Sequence, residues 1–259
     1  MPKTDKELRA DVVQVGKLVY QKGWVAANDG NISVRLDQDR VLCTPTGVSK
    51  GMMQEEDLII VDMQGNKIEG HKSETSEIGL HLTVYKLRPD VRSVLHAHPP
   101  VATGFATAGR ALNLALLPEI VIGLGCVPLA EYGLPGTVEL IEPMLPYIPN
   151  YDAILMGNHG AVCYGEDVFK AFFRMEMLEH FARITLVAEL LGGPKALPRA
   201  EVEKLLKARP RYGITSHGDP GPVRFVCAGE SGEQPERLTL TRKELLAIVE
   251  EVLKEHGLA

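Results

Sequence analysis

The sequence predicts a layered α/β domain, a central and mostly antiparallel sheet flanked by helices, followed by a C-terminal extension. Stretches with apolar residues at helical spacing alternate with short apolar runs of strand length, and several neighbouring runs are joined by turns too short for a parallel crossover. A third observation marks the extension: beyond residue 215 the composition shifts to Gly, Pro, Glu, Ser and Asp before one last amphipathic stripe. The expected organisation is a domain over residues 1–215, a linker or irregular extension over 216–237 and an amphipathic helix over 238–259.

Composition narrows the function classes. With 45% apolar and 24% charged residues in 259, the chain is long enough to bury a sizeable core. A net charge of −6 without basic clustering argues against a nucleic-acid surface. No apolar run approaches the roughly 20 residues of a membrane helix, and Met1-Pro2-Lys3-Thr4-Asp5 opens a charged amphipathic pattern rather than a signal peptide. A cytoplasmic protein with no membrane partner is expected. Cys43, Cys126, Cys163 and Cys227 have no Cys-x-x-Cys spacing and read as buried thiols.

Taken in order, Thr4-Asp5-Lys6-Glu7 is a capping box, and Leu8, Val12, Val15 and Val19 place a helix over residues 5–22. Residues 32–36 and 41–44 read as a hairpin around a turn at 37–40, residues 58–61 as a buried strand and 62–66 as a turn. A helix over 77–87 stops at Arg88-Pro89, and 93–98 is a strand. Pro100 starts a helix to about 108, Leu117-Pro118-Glu119 sits in an irregular stretch, and residues 126–129 form a strand. A helix follows over 138–144, then strands at 153–156 and 161–164 around Gly157-Asn158-His159-Gly160. Val168, Phe172, Met175, Leu178 and Ala182 stripe a long helix ended by Gly192-Gly193-Pro194, and a short helix spans 198–207. In the extension Thr241-Arg242-Lys243-Glu244 caps a helix whose apolar face is Leu245, Ile248, Val249, Val252 and Leu253.

Two histidines in His96-Ala97-His98 lie two apart on a strand and point to one face, so both can reach one metal. His159, in its glycine-flanked turn, is the third candidate. Three imidazoles with an open position would form a catalytic zinc (Zn2+) site rather than a structural one. Glu77 at a helix start is either a general base or fourth ligand near that metal, or a carboxylate stabilised by the helix dipole. His81, four residues on, reads as a buried hydrogen-bonding group. Asn31, Thr46, Gly47, Thr75 and Ser76 gather amides, hydroxyls and free N–H groups of the kind that cradle a phosphate.

At this point the chain resembles a known family. Gly30-Asn31-Ile32-Ser33, Thr44-Pro45-Thr46-Gly47, Ser76-Glu77, His96-Ala97-His98, Asn158-His159-Gly160 and Tyr212-Gly213 are together similar to the class II aldolase/adducin family, most closely to its L-fuculose-1-phosphate aldolase-like members. The resemblance covers about residues 5–214. It implies that His96, His98 and His159 hold Zn2+, that Glu77 is the acid/base residue, and that Asn31, Thr46, Gly47, Thr75 and Ser76 bind the phosphate of a sugar substrate. It further implies a homotetramer with active sites at subunit interfaces and Tyr212 closing over a neighbour's site. The implied reaction is reversible cleavage of a ketose 1-phosphate to dihydroxyacetone phosphate and an aldehyde. The alternatives on the same scaffold are a sugar-phosphate 4-epimerase, decarboxylase or dehydratase, and a non-catalytic adducin-like interaction module. A carboxylate at Glu77 rather than the shorter Asp of the epimerases favours the aldolase.

Where such aldolases carry a tyrosine that protonates the aldehyde oxygen, an ungapped alignment puts Leu117, leaving Tyr212, Glu119 and water as donors. The region beyond 216 lies outside the resemblance. Its flexible stretch and short amphipathic helix resemble the peptides that load enzymes into bacterial microcompartments by docking on a shell or a neighbouring enzyme. The alternative is that residues 238–259 pack on the protein's own tetramer.

Overall fold

A computed structural model of the protein describes residues 3–214 and 221–230. It divides into a compact unit, Met1–Ala228, and a second unit, Gly229–Ala259, of which only residues 229–230 are described. The expected helix over 238–259 lies outside the described residues.

Eight strands form one sheet: β1 Asn31–Arg35, β2 Arg40–Cys43, β3 Ile59–Asp62, β4 Lys67–Glu69, β5 Ser93–Ala97, β6 Leu129–Ala130, β7 Ala153–Met156 and β8 Gly160–Gly165. Their order is β4-β3-β2-β1-β5-β8-β7-β6, and every pairing is antiparallel except β6 with β7. The helices are α1 Asp5–Gln21, α2 Ile78–Leu87, α3 Pro100–Thr107, α4 Pro118–Gly123, α5 Val138–Ile141, α6 Val168–Leu190 and α7 Arg199–Ala208. The fold class read from the sequence is the one observed.

Strand alternation divides the core between the two faces of the sheet. Ile32, Val34, Leu95, Ala97, Ala161 and Cys163 pack with Val12, Val15 and Val19 of α1 and Phe172, Met175 and Phe181 of α6. The opposite set, Val94, Val162, Tyr164, Val41 and Val61, packs with Leu80, Val84 and Tyr85 of α2 and Leu140 of α5. Asn31, Ser33 and His96 alternate with the first set and so belong to the α2 face. All four cysteines are buried free thiols.

Local departures from the sequence reading have local causes. The stretch around Leu117-Pro118-Glu119, expected to be irregular, opens α4, because a proline at the first helical position lacks only an N–H that would be unpaired there anyway. β4 was not anticipated: Lys67, Ile68 and Glu69 are all exposed, so no alternation betrays it. The strand expected over 126–129 starts only at Leu129, with Val127 bridging back to Leu112. Residues 142–144 tighten into a 3-10 turn after α5. Within the stretch read as linker or irregular extension, Phe225 and Cys227 are buried, Val226 bridges Leu114, and Tyr151 donates its hydroxyl to the Val223 carbonyl at 2.7 Å. Among the described residues no helix is long and apolar enough to cross a membrane.

Candidate functional site

The sheet order brings distant segments to one point. β5 lies between β1 and β8, so His96 on β5 sits opposite Asn31 on one side and Val162 on the other. His98 follows the end of β5, where its N–H donates to the Trp24 carbonyl at 2.8 Å. His159 comes from the turn between β7 and β8. Asn158 supplies the bend of that turn with φ of 52°, a left-handed conformation that asparagine tolerates. Gly160 serves a different need: a Cβ there would lie 2.5 Å from His98 Cδ2 and 2.7 Å from the Ala97 carbonyl. On the other side Gly30, with φ of +70°, leaves room for the His96 carbonyl, 2.8 Å from where its Cβ would be.

His96, His98 and His159 each turn a ring nitrogen into one cluster whose ligand atoms all lie within 4.8 Å of one another. His96 Nε2 is 3.1 Å from His98 Nε2 and 3.3 Å from Glu77 Oε2, and His159 Nε2 is 3.2 Å from Glu77 Oε1. Four donors about 2.0–2.1 Å from a tetrahedral zinc ion are spaced about 3.3–3.4 Å apart, so the observed spacings fit a single small cation. The donor set, imidazoles with a carboxylate, suits zinc chemically. The ring of His96 is already oriented for such a role. Its Nδ1 lies 2.9 Å from the Ala161 carbonyl, which can only accept, so Nδ1 carries the proton and Nε2 presents a lone pair. Among the described residues His159 Nδ1 is buried without a hydrogen-bond partner.

Electrostatics agree with ligand duty. Burial pushes the His96 and His98 rings toward the neutral form that has a lone pair to offer. For Glu77 burial opposes ionisation, while hydrogen bonds from the His159 ring and the Asn31 amide act the other way, and the carboxyl is held below its ordinary range. Glu77 is not in the first turn of α2 but at its N-cap, and its side chain makes no capping hydrogen bond. It turns to the histidines instead.

The expected phosphate residues divide. Loops 44–47 and 73–76 lie side by side through a Pro45–Glu74 bridge and a 3.0 Å bond from the Thr46 N–H to the Ser73 carbonyl. Thr46, Gly47 and Ser76 are exposed and Thr75 is buried. Asn31 is different: its Nδ2 donates to Glu77 Oε2 at 3.0 Å and its Oδ1 is 2.5 Å from His81 Nε2, so both ends of its amide are engaged inside the fold. Tyr212 is 66% exposed on the 3-10 turn Arg209–Tyr212, which packs on α4 and α7. Leu117 caps α4 and packs its side chain on the core, while Glu119 is exposed in the first turn of that helix.

The sequence reading missed Lys50. Its buried ammonium donates to the carbonyls of Asn28 at 2.8 Å and Val48 at 3.0 Å, tying the loop before β1 to the loop after β2. A lysine three residues past Thr46-Gly47 carries no periodicity or motif that would have flagged it.

Residues 10–186 match the family described as the Class II Aldolase and Adducin N-terminal domain. The chain is 33% identical over 175 residues to an L-fuculose phosphate aldolase of Methanocaldococcus jannaschii, an overlap of 68% of this chain and 93% of the relative. It is 34% identical over 185 residues to a 3-oxo-tetronate 4-phosphate decarboxylase of Haemophilus influenzae, 70% of this chain and 88% of the relative. Among solved structures an L-fuculose 1-phosphate aldolase superposes with a TM-score of 0.74 at 28% identity, covering 83% of this chain and 99% of that one.

Proposed function

The chain belongs to the class II aldolase and adducin family, and from that premise we propose that it is a zinc-dependent aldolase. Its reaction would be the reversible cleavage of a ketose 1-phosphate such as L-fuculose 1-phosphate to dihydroxyacetone phosphate and an aldehyde. The observation that carries this reading is the buried Glu77 carboxylate lying 3.2–3.3 Å from His159 and His96, against a three-imidazole cluster. An interaction module has no use for such a set.

His96, His98 and His159 would hold the metal, which when bound polarises the substrate carbonyl as a Lewis acid. Glu77 moves the proton. When the carbon–carbon bond breaks, the hydroxyl on the departing carbon gives up its proton as the aldehyde C=O forms, the electron pair of the broken bond stays on the carbon next to the carbonyl, and Glu77 delivers a proton there; in the synthetic direction Glu77 removes it. The exposed hydroxyls of Thr46 and Ser76 and the Gly47 N–H, with the buried Thr75, would take the phosphate. Asn31, whose side chain is engaged by Glu77 and His81, serves the carboxylate rather than the anion. Tyr212 is exposed, which suits a residue reaching a neighbour's site in a homotetramer.

One observation favours a second reading: the decarboxylase relative is as similar as the aldolase one, and Leu117 cannot donate a proton. Loss of carbon dioxide also leaves an electron pair on a carbon next to a carbonyl, so the same Glu77 would serve. Purified protein incubated with L-fuculose, L-rhamnulose and ribulose 1-phosphates and assayed for dihydroxyacetone phosphate separates the two. Triose phosphate from any of them supports the aldolase. None from all three, with carbon dioxide released from a 3-oxo-tetronate 4-phosphate, transfers the site to the decarboxylase. About one equivalent of zinc per chain is expected in either case.

A further inference from the structure

Strand β1 and helix α2 face each other with matched repeats. Alternate strand residues advance about 6.6 Å, and residues four apart on a helix advance about 6 Å. Asn31, Ser33 and Arg35 therefore meet Glu77, His81 and Tyr85 in step. Asn31 lies between Glu77 and His81, Ser33 between His81 and Tyr85, and Arg35 stacks its guanidinium 4.9 Å over the Tyr85 ring while donating to the Tyr85 carbonyl. Ser33 Oγ is 2.6 Å from His81 Nδ1 and 2.7 Å from Tyr85 Oη, and Ser33, His81 and Tyr85 are at most 1% exposed.

The donors in this chain can be ordered from one end. Asn31 turns its NH2 to Glu77 Oε2 and its oxygen to His81 Nε2. That oxygen requires a proton on His81 Nε2. The ring is fully buried and its pKa is pushed down to about 4, so it is neutral and Nδ1 is bare. Ser33 must then donate to Nδ1, and its oxygen is left to accept from Tyr85. Every hydrogen bond points toward the carboxylate.

We propose that His81, held in its Nε2–H form by Ser33 and Tyr85, is a positioning residue that locks the Asn31 amide so that its NH2 fixes one oxygen of Glu77 and leaves the other for proton transfer. The inference rests on the reading of Glu77 as the acid/base group. A reversed Asn31 would set its oxygen against the carboxylate and its NH2 against the His81 N–H, and the ring tautomer holds the amide against that reversal.

Nitrogen-15 NMR of the histidine rings in the zinc-loaded wild type tests the geometry without any turnover: a neutral Nε2–H tautomer for His81 at neutral pH is expected, and an Nδ1–H tautomer overturns the proposal. For function, His81→Leu should lower kcat and the exchange of the dihydroxyacetone phosphate C–H proton with solvent by about 10–100-fold. KM and zinc content should stay at wild-type values. His81→Gln, which can still donate to Asn31, should recover most of the loss. Wild-type kcat in a zinc-loaded His81→Leu variant, beside an inactive Glu77→Gln control, overturns the positioning role alone. An active Glu77→Gln control instead removes the acid/base reading beneath it. If His81→Leu does not fold, Ser33→Ala carries the same comparison: it should shift the His81 tautomer and lower kcat, and a change in neither overturns the proposal.

Discussion

At the histidine end of the candidate site Asn31, Glu77 and His96 are at most 6% exposed, and each has a polar contact inside the fold. At the loop end Thr46, Gly47 and Ser76 stand in solvent, and the loops are held by backbone contacts and by the Lys50 ammonium beneath them. The contrast follows from what each end must do. A buried polar group that loses its partner costs about 1–3 kcal/mol, so the histidine end is held to one geometry by its own hydrogen bonds. Exposed hydroxyls face no such penalty, and their geometry can adjust to the anion they receive. Rigid chemistry and adjustable binding are thereby kept in separate pieces of chain.

Substitutions at the two ends should differ in which kinetic constant they move. Glu77→Gln keeps the shape of the carboxylate and removes its basicity; kcat should fall by about 10²–10⁴-fold, and steady-state kinetics showing less than a tenfold drop would contradict the role given to Glu77. Gly160→Ala adds a methyl group where His98 and the Ala97 carbonyl already stand. Zinc affinity, read by competition with a coloured chelator, should weaken about 10–100-fold, as for other changes to groups that orient ligands. Unaltered affinity would mean the cluster is less tightly held than its packing implies.

At the loop end Thr46→Val or Ser76→Ala should raise KM for a phosphorylated substrate about tenfold, the loss of one hydrogen bond to a charged group. The expected kcat and zinc content are unchanged; a fall in kcat with KM constant would show that the loops take part in the chemistry. A change in stability rather than in turnover is expected at Lys50, whose pKa burial pushes down from 10.5 to about 8. Between those values the unfolded chain holds a proton that the folded one lacks, so stability rises with pH across that window and bears the full cost of the buried charge below it. Denaturant midpoints should climb from about pH 8 toward 10.5 in the wild type and stay flat in Lys50→Met; parallel curves for the two proteins would assign the rise to another group.

The two ends also differed in how legible they were. His96-Ala97-His98 announced a shared face because strand geometry repeats every two residues; β5 ends at Ala97, and His98 one residue beyond it still keeps its ring beside that of His96. The hydroxyl loops were visible only as a grouping of turn residues, each with an ordinary explanation of its own. Asn31 was grouped with them because its side-chain amide is of the kind that cradles an anion. The structure places it at the start of β1, facing α2, with both ends of its amide occupied. Glu77 was read onto the helix itself, one residue inside its real position at the N-cap, where its side chain escapes the helix face and reaches the metal cluster.

What the sequence by itself determined is what nearest neighbours along the chain control: the helices from their stripes and caps, the hairpin of β1 and β2, the shared face of His96 and His98, and the one-turn spacing of Glu77, His81 and Tyr85. Those patterns depend on repeats of two and of about four residues, which any window of the chain displays. Only the tertiary structure decided that β5 is inserted between β1 and β8, and that insertion gathers Asn31, His96 and His159 around Glu77. The pairing of strands far apart in the chain follows from burying both faces of the sheet at once, a property of the whole packed core that no local window contains.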